Sequence, residues 1–186
     1  MRDRATPRHR KEATTAAAIL ELITRDPQLR DAKALRGLSQ FLLDLGALLR
    51  YAAQEGFALG WGHTSRAQPG PVMEFYFDLY KGSQSQCYIS KGWNDPGVRI
   101  GDVLRISRED EGRIKQHIKP LVDACASQGV SLQLLAGAGG AVELHVWTPV
   151  YGSAVTPRGL HEAVKALQEC KRRIRRICPF TCGAPR

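Results

Sequence analysis

The chain has 186 residues, 43% of them apolar, which suits one compact domain with a sizeable core. Its formal charge of +9 sits at the ends: residues 1–12 balance at +3, residues 165–186 at +6, and residues 13–164 cancel. A neutral body with cationic ends argues against a surface that tracks a phosphate backbone throughout, and no run approaches the roughly 18 apolar residues that cross a bilayer.

Residues 1–12 are basic and aperiodic and read as a flexible tail, because they offer no apolar surface to offset the entropy of ordering. A short helix is expected over about Thr14–Thr24. Its apolar part is interrupted by Glu21 and followed by no small-residue cleavage pattern, so it reads as helical and not as a secretory signal. Asp26 and Pro27 have the chemistry of an N-cap and first helical position and open a second helical region. There Leu35, Leu38, Phe41, Leu42, Leu45, Leu48, Leu49 and Ala52 recur mostly at three- and four-residue steps, the spacing of one buried face, and Gly56 supplies a stop.

After Phe57 the period changes. A weak strand is expected near 57–61 and the clearest one at 72–80, where Met73, Phe75, Phe77 and Leu79 alternate with Glu74, Tyr76, Asp78 and Tyr80. Strands at 86–91 and 98–106 follow, separated by turn residues through Gly97, the second with a bulge expected at Gly101. Ser107 reads as the cap of a helix with the apolar stripe Ile114, Ile118, Leu121, Val122 and Cys125, ended by Gly129. Pro120 lies inside it and predicts a kink or break. Strands near 130–135 and 141–148 flank the glycines of 136–140, and Thr156 and Pro157 open the last helix. This order predicts an α+β fold, an antiparallel or mixed sheet with helices packed against it, over one domain at 13–177 followed by a C-terminal tail at 178–186.

The last helix carries the main functional signal. Leu160, Val164, Leu167, Cys170, Ile174 and Ile177 form its apolar side, while Lys165, Arg172 and Arg176 project opposite and Arg175 flanks them. The candidate nucleic-acid-binding set is Lys165, Lys171, Arg172, Arg173, Arg175 and Arg176, because clustered cations on one helix attract phosphates by releasing counterions. Neutralising about five phosphates would give a log-log salt slope of roughly −4 to −5 on duplex DNA. The competing explanation is a solvated outer face.

Other groups carry weaker signals. Tyr76, Tyr80 and Tyr88 share the polar face of adjacent strands, as stacking residues of a single-strand binder or as ordinary strand tyrosines. Glu143 and His145 share a strand face with Trp147 beyond them, but no recognisable nucleophile accompanies them. Cys87, Cys125, Cys170, Cys178 and Cys182 are odd in number and lack a Cys-x-x-Cys step, so they read as thiols of a cytoplasmic protein with no metal and no cofactor.

Three functional classes follow. The leading one is a nucleic-acid-associated accessory or regulatory protein using the basic C-terminal helix, with a nucleic acid or an acidic protein as partner and a homodimer as one assembly. Alternatively, the succession helix, three or four strands, helix, two strands, helix over residues 35–177 resembles bacterial secretion chaperones of the small α/β dimer type, which implies a protein-binding module. That resemblance lies in element order, with no shared motif, and the family is generally acidic. The third class is an enzyme whose site gathers His63, Glu143 and His145 from distant positions.

Overall fold

The computed structural model describes residues 32–68, 70–92, 95–137, 140–179 and 182–183. The basic tail at 1–12, the helix expected over 14–24 and the start at Asp26 and Pro27 lie outside them. The fold is α+β: helix α1 (Ala32–Glu55), strands β1 (Ala58–Gln68), β2 (Gly70–Lys81), β3 (Gln84–Gly92) and β4 (Gly97–Ile106), helix α2 (Arg108–Ala126), strands β5 (Ser131–Ala136) and β6 (Val142–Tyr151), and helix α3 (Pro157–Ile177). The strands form one antiparallel sheet in the order β1-β2-β3-β4-β6-β5. A two-residue β7 (Cys182–Gly183) pairs with Leu104 and Arg105 of β4, so part of the segment read as a C-terminal tail belongs to the sheet.

Period-two alternation decides which face is covered. Phe75, Phe77 and Leu79 of β2, Cys87 and Ile89 of β3, Ile100 and Leu104 of β4, and Leu144 and Val146 of β6 are buried on one face. All three helices pack there: Phe41 of α1 meets Phe75 with ring centroids 4.9 Å apart, and α3 lies over β4 and β6. α2 lies over β5 and against α3.

The buried face of α1 is rotated from the leucine pattern. Phe41, Asp44, Ala47, Leu48, Tyr51 and Ala52 are buried, whereas Leu42 and Leu49 are 41% and 43% exposed. Aromatic volume favours this rotation: burying Phe41 and Tyr51 removes more surface from water than burying Leu42 and Leu49 would. Burial pushes the Tyr51 phenol above its ordinary value, and Cys87 and Glu55 push in the same direction. Gly56 ends the helix at φ +70°, a conformation that costs glycine nothing, and lets Phe57 N–H donate to Ala52 O at 2.8 Å.

The bulge expected at Gly101 and a break at Pro120 are absent, and one unexpected irregularity appears. β4 pairs with β6 in unbroken register through Gly101, and the shift in the sheet falls between Leu79 and Tyr80. Gly101 is needed for another reason: a Cβ there would lie 2.8 Å from Tyr88 Oη and 3.0 Å from Val146 O, because the Tyr88 ring lies across it. α2 is continuous through Pro120. Both Pro120 and Gln116 are exposed, so water can satisfy the Gln116 carbonyl that loses its donor. At the start of α2 the Ser107 hydroxyl accepts from Asp110 N–H at 3.1 Å. The backbone N–H of Glu109 and the Ser107 hydroxyl hold the Glu109 carboxyl below its usual range.

The reading of all five cysteines as thiols fails at two positions, because Cys125 of α2 and Cys170 of α3 form a disulfide with Cα atoms 5.7 Å apart. Both lie on apolar helix stripes, so docking the helices through those stripes brings the sulfurs together. Replacing both by alanine should cost about 4 kcal/mol, the loop entropy of the 45-residue separation, read from urea unfolding midpoints of the oxidised protein. An unchanged midpoint would mean the staple adds nothing to the packing.

Candidate nucleic-acid interface

α3 begins where the sequence places it. The Thr156 hydroxyl accepts from Gly159 N–H at 3.1 Å, and Pro157 sits where its missing N–H leaves no bond unmade. Leu160, Val164, Leu167, Cys170 and Ile174 are buried against the sheet and α2. The helix is therefore held by one face, and its opposite face lies toward solvent.

Lys171 does not belong to the solvent-facing set. It is 3% exposed, and its ammonium donates to Asp102 Oδ2 of β4 and, at 2.8 Å, to Gln86 O of β3. The physical reason is angular: four residues after Leu167 and three before Ile174, position 171 falls on the buried stripe. Asp102 occupies an inward position between Ile100 and Leu104, where an unpaired carboxylate would be strongly destabilising. Its other oxygen accepts from Val103 N–H at 2.9 Å. The Gln168 amide adds a bond to Gln86 O at 3.1 Å, so the middle of α3 is anchored by polar contacts within an apolar layer.

Of the other five candidate residues, Arg172 and Arg173 share one acid. Glu169 lies 2.9 Å from Arg172 Nη2 and 3.5 Å from Arg173 Nε. Lys165, Arg175 and Arg176 are exposed and form no ion pair among the described residues. Contacts of this exposed kind are worth about 0–1 kcal/mol and are readily exchanged for another anion. The solvent side of α3 thus carries Arg158, Lys165, Arg172, Arg173, Arg175 and Arg176 against Glu162 and Glu169, and four of the six cations fall in its last two turns.

A second buried pair lies at the other end of the helical layer. Lys91 of β3 and Asp44 of α1 are 3% and 2% exposed and meet at 2.8 Å. Gln40 donates to the other Asp44 oxygen at 2.8 Å, and Lys91 also donates to Asp95 O in the β3–β4 connection. The sequence reading missed both pairs. Their signal was a charged residue at an inward strand position, Lys91 after Cys87 and Ile89, and Asp102 after Val98 and Ile100.

The opposite face of the sheet carries the tyrosines. Tyr76 and Tyr88 rings lie 6.3 Å apart, Tyr88 covers Gly101, and Tyr80 covers Gly60. Two of the three rings therefore lie along backbone and fill space over glycines, which is a packing role. Glu143 Oε2 and His145 Nε2 are 3.3 Å apart on β6. His63 is on β1, in register with Phe75 and four strands away from β6, or about 19 Å at the usual strand spacing. The three residues of the enzyme reading are not brought together. Among the described residues no group of three or more His, Cys, Asp or Glu could hold a metal ion.

No family model matches the chain, and neither a curated protein nor a solved structure matches it at a significant level.

The anchoring role of Lys171 is measurable. Lys171→Ala strands Asp102 in the apolar layer and should cost about 3–5 kcal/mol in chemical denaturation, whereas Lys171→Met combined with Asp102→Leu should be near neutral. Equal losses for the single and the double variant would show that packing volume, and not charge pairing, holds α3 in place.

Proposed function

We propose that the protein is a nucleic-acid-associated accessory or regulatory binding protein that contacts phosphates through the solvent side of α3, with Lys165, Arg172, Arg173, Arg175 and Arg176 as the contacting residues. The observation that carries this reading is the imbalance of six cations against two acids on that side of one helix. One or two basic residues in the last turn would serve the helix dipole, a contribution of about 0.3–1 kcal/mol; the cluster continues beyond that need. Fixed to the core through Cys170 and Lys171, the helix presents its arginines on a rigid support, which lowers the entropy lost on binding.

A cytoplasmic location is part of the proposal. No helix among the described residues is long and apolar enough to cross a membrane. The Cys125–Cys170 bond is compatible with a reducing compartment because both residues have no solvent exposure, which hinders attack by a thiolate.

A protein-binding module is the second reading, and one observation favours it. Leu42, Leu43 and Leu49 are 41%, 64% and 43% exposed on one side of α1, an apolar stripe that a protein partner could cover.

Salt dependence separates the two. Binding to a DNA duplex through the α3 cluster should weaken with a log-log salt slope of roughly −4, and Arg175→Ala with Arg176→Ala should reduce that slope by about 2, measured by fluorescence anisotropy across salt concentrations. A slope near zero overturns the nucleic-acid reading.

A further inference from the structure

The sheet has two edges, and they differ. β1 contains Gly60, Gly62 and Arg66, residues that weaken or charge an edge against pairing with another chain. β5, Ser131–Ala136, has none of these protections: no charge, no proline and no bulge, with an unbroken register on β6 from Ser131↔Trp147 to Ala136↔Val142. Its outer edge meets no backbone partner among the described residues. Half of the backbone N–H and C=O groups of an edge strand point outward and form a template for another strand.

The surroundings of β5 indicate which strand. Residues 127–142 contain no Asp, Glu, Lys or Arg, in a chain that is 24% charged with a net charge of +9. Two copies repel where their cationic segments approach each other, α3 among them, and least where charge is missing. Leu132 and Leu134 on the covered face are only half-buried, so the apolar layer under the helices is left open at this edge. We infer that β5 is a self-association seam, pairing antiparallel with β5 of a second copy about a two-fold axis perpendicular to the sheet. That axis keeps the helices of both copies on one side and requires residues of equal parity to face each other. Gln133 then lies opposite Gln133 of the second copy, and Leu132 opposite Leu134, which closes the apolar layer. The two sheets become one, and two α3 clusters are carried on one particle, an arrangement that raises avidity for a repeating polyanion. The inference does not depend on the nucleic-acid reading.

A six-residue seam is small, so association is expected in the micromolar range. Sedimentation of the full chain up to about 100 µM should show a reversible species of twice the chain mass. Gln133→Lys sets two ammonium groups opposite each other at an exposed position and should raise the dissociation constant about tenfold or more, while Gln133→Thr should leave it within about threefold. Both variants should unfold at the midpoint of the parent. Hydrogen exchange should show amides of 131–136 gaining protection with protein concentration. A chain that stays monomeric throughout overturns the inference and leaves the edge to an extended segment of another protein. A dimer that survives Gln133→Lys but is lost with Leu43→Lys overturns it in favour of the α1 stripe.

Discussion

Two ion pairs buried between the helices and the sheet constrain how this molecule is put together. Lys91–Asp44 joins β3 to α1, and Lys171–Asp102 joins β4 to α3. An apolar interface between a helix and a sheet tolerates some rotation of the helix, since leucine, valine and isoleucine contacts are non-directional. A buried charge tolerates little, because losing its partner costs several kcal/mol. Each pair is also tied to backbone or side-chain groups nearby, Gln86 and Val103 in one case, Gln40 and Asp95 in the other. Polar contacts thus select a single angular setting for α1 and α3. The disulfide adds the restraint between α2 and α3 that neither pair supplies.

That setting determines the two exposed features on which function can be argued. With Lys171 directed into the sheet, the α3 residues on the far side of the helix axis, Lys165, Arg172 and Arg176, face solvent. With Asp44 directed into the sheet, Leu42, Leu43 and Leu49 are turned out. The leucines and arginines do not compete for the core; they are what remains once charge pairing and the aromatics Phe41 and Tyr51 have taken it. The cationic cluster and the leucine stripe lie on different helices, so an anionic partner and an apolar one need not exclude each other.

Much of the architecture was legible because its elements have unmixed periods. The alternation of Phe75, Phe77 and Leu79 marks β2, and the stripe from Leu160 to Ile174 marks α3, since each faces a core on one side only. β1 was legible only in its first residues: Ala58–Gln68 holds glycine, serine and threonine with little apolar alternation, and full-length pairing with β2 extends it. α1 misled because leucines occupy more than one side of it and spacing alone does not say which side carries the larger aromatics. The disulfide links positions 45 residues apart, and nothing local announces such a contact. Lys171 was the instructive error at the site. Counting it by charge placed it with the arginines, whereas counting it by angle placed it with Leu167 and Ile174.

The same rule extends to other basic amphipathic helices on sheets. A lysine on the apolar stripe of a helix, together with an aspartate at an inward strand position, is better read as one buried pair than as two surface charges. Removing that lysine lowers the candidate phosphate-contacting set here from six residues to five, and Glu169 is shared by two of these. What is left is a smaller cluster with a firmer foundation: its side chains stay exposed, while the helix beneath them is fixed by a charge that never reaches solvent. Affinity through such a surface would depend on salt and on the number of copies acting together, more than on any single arginine.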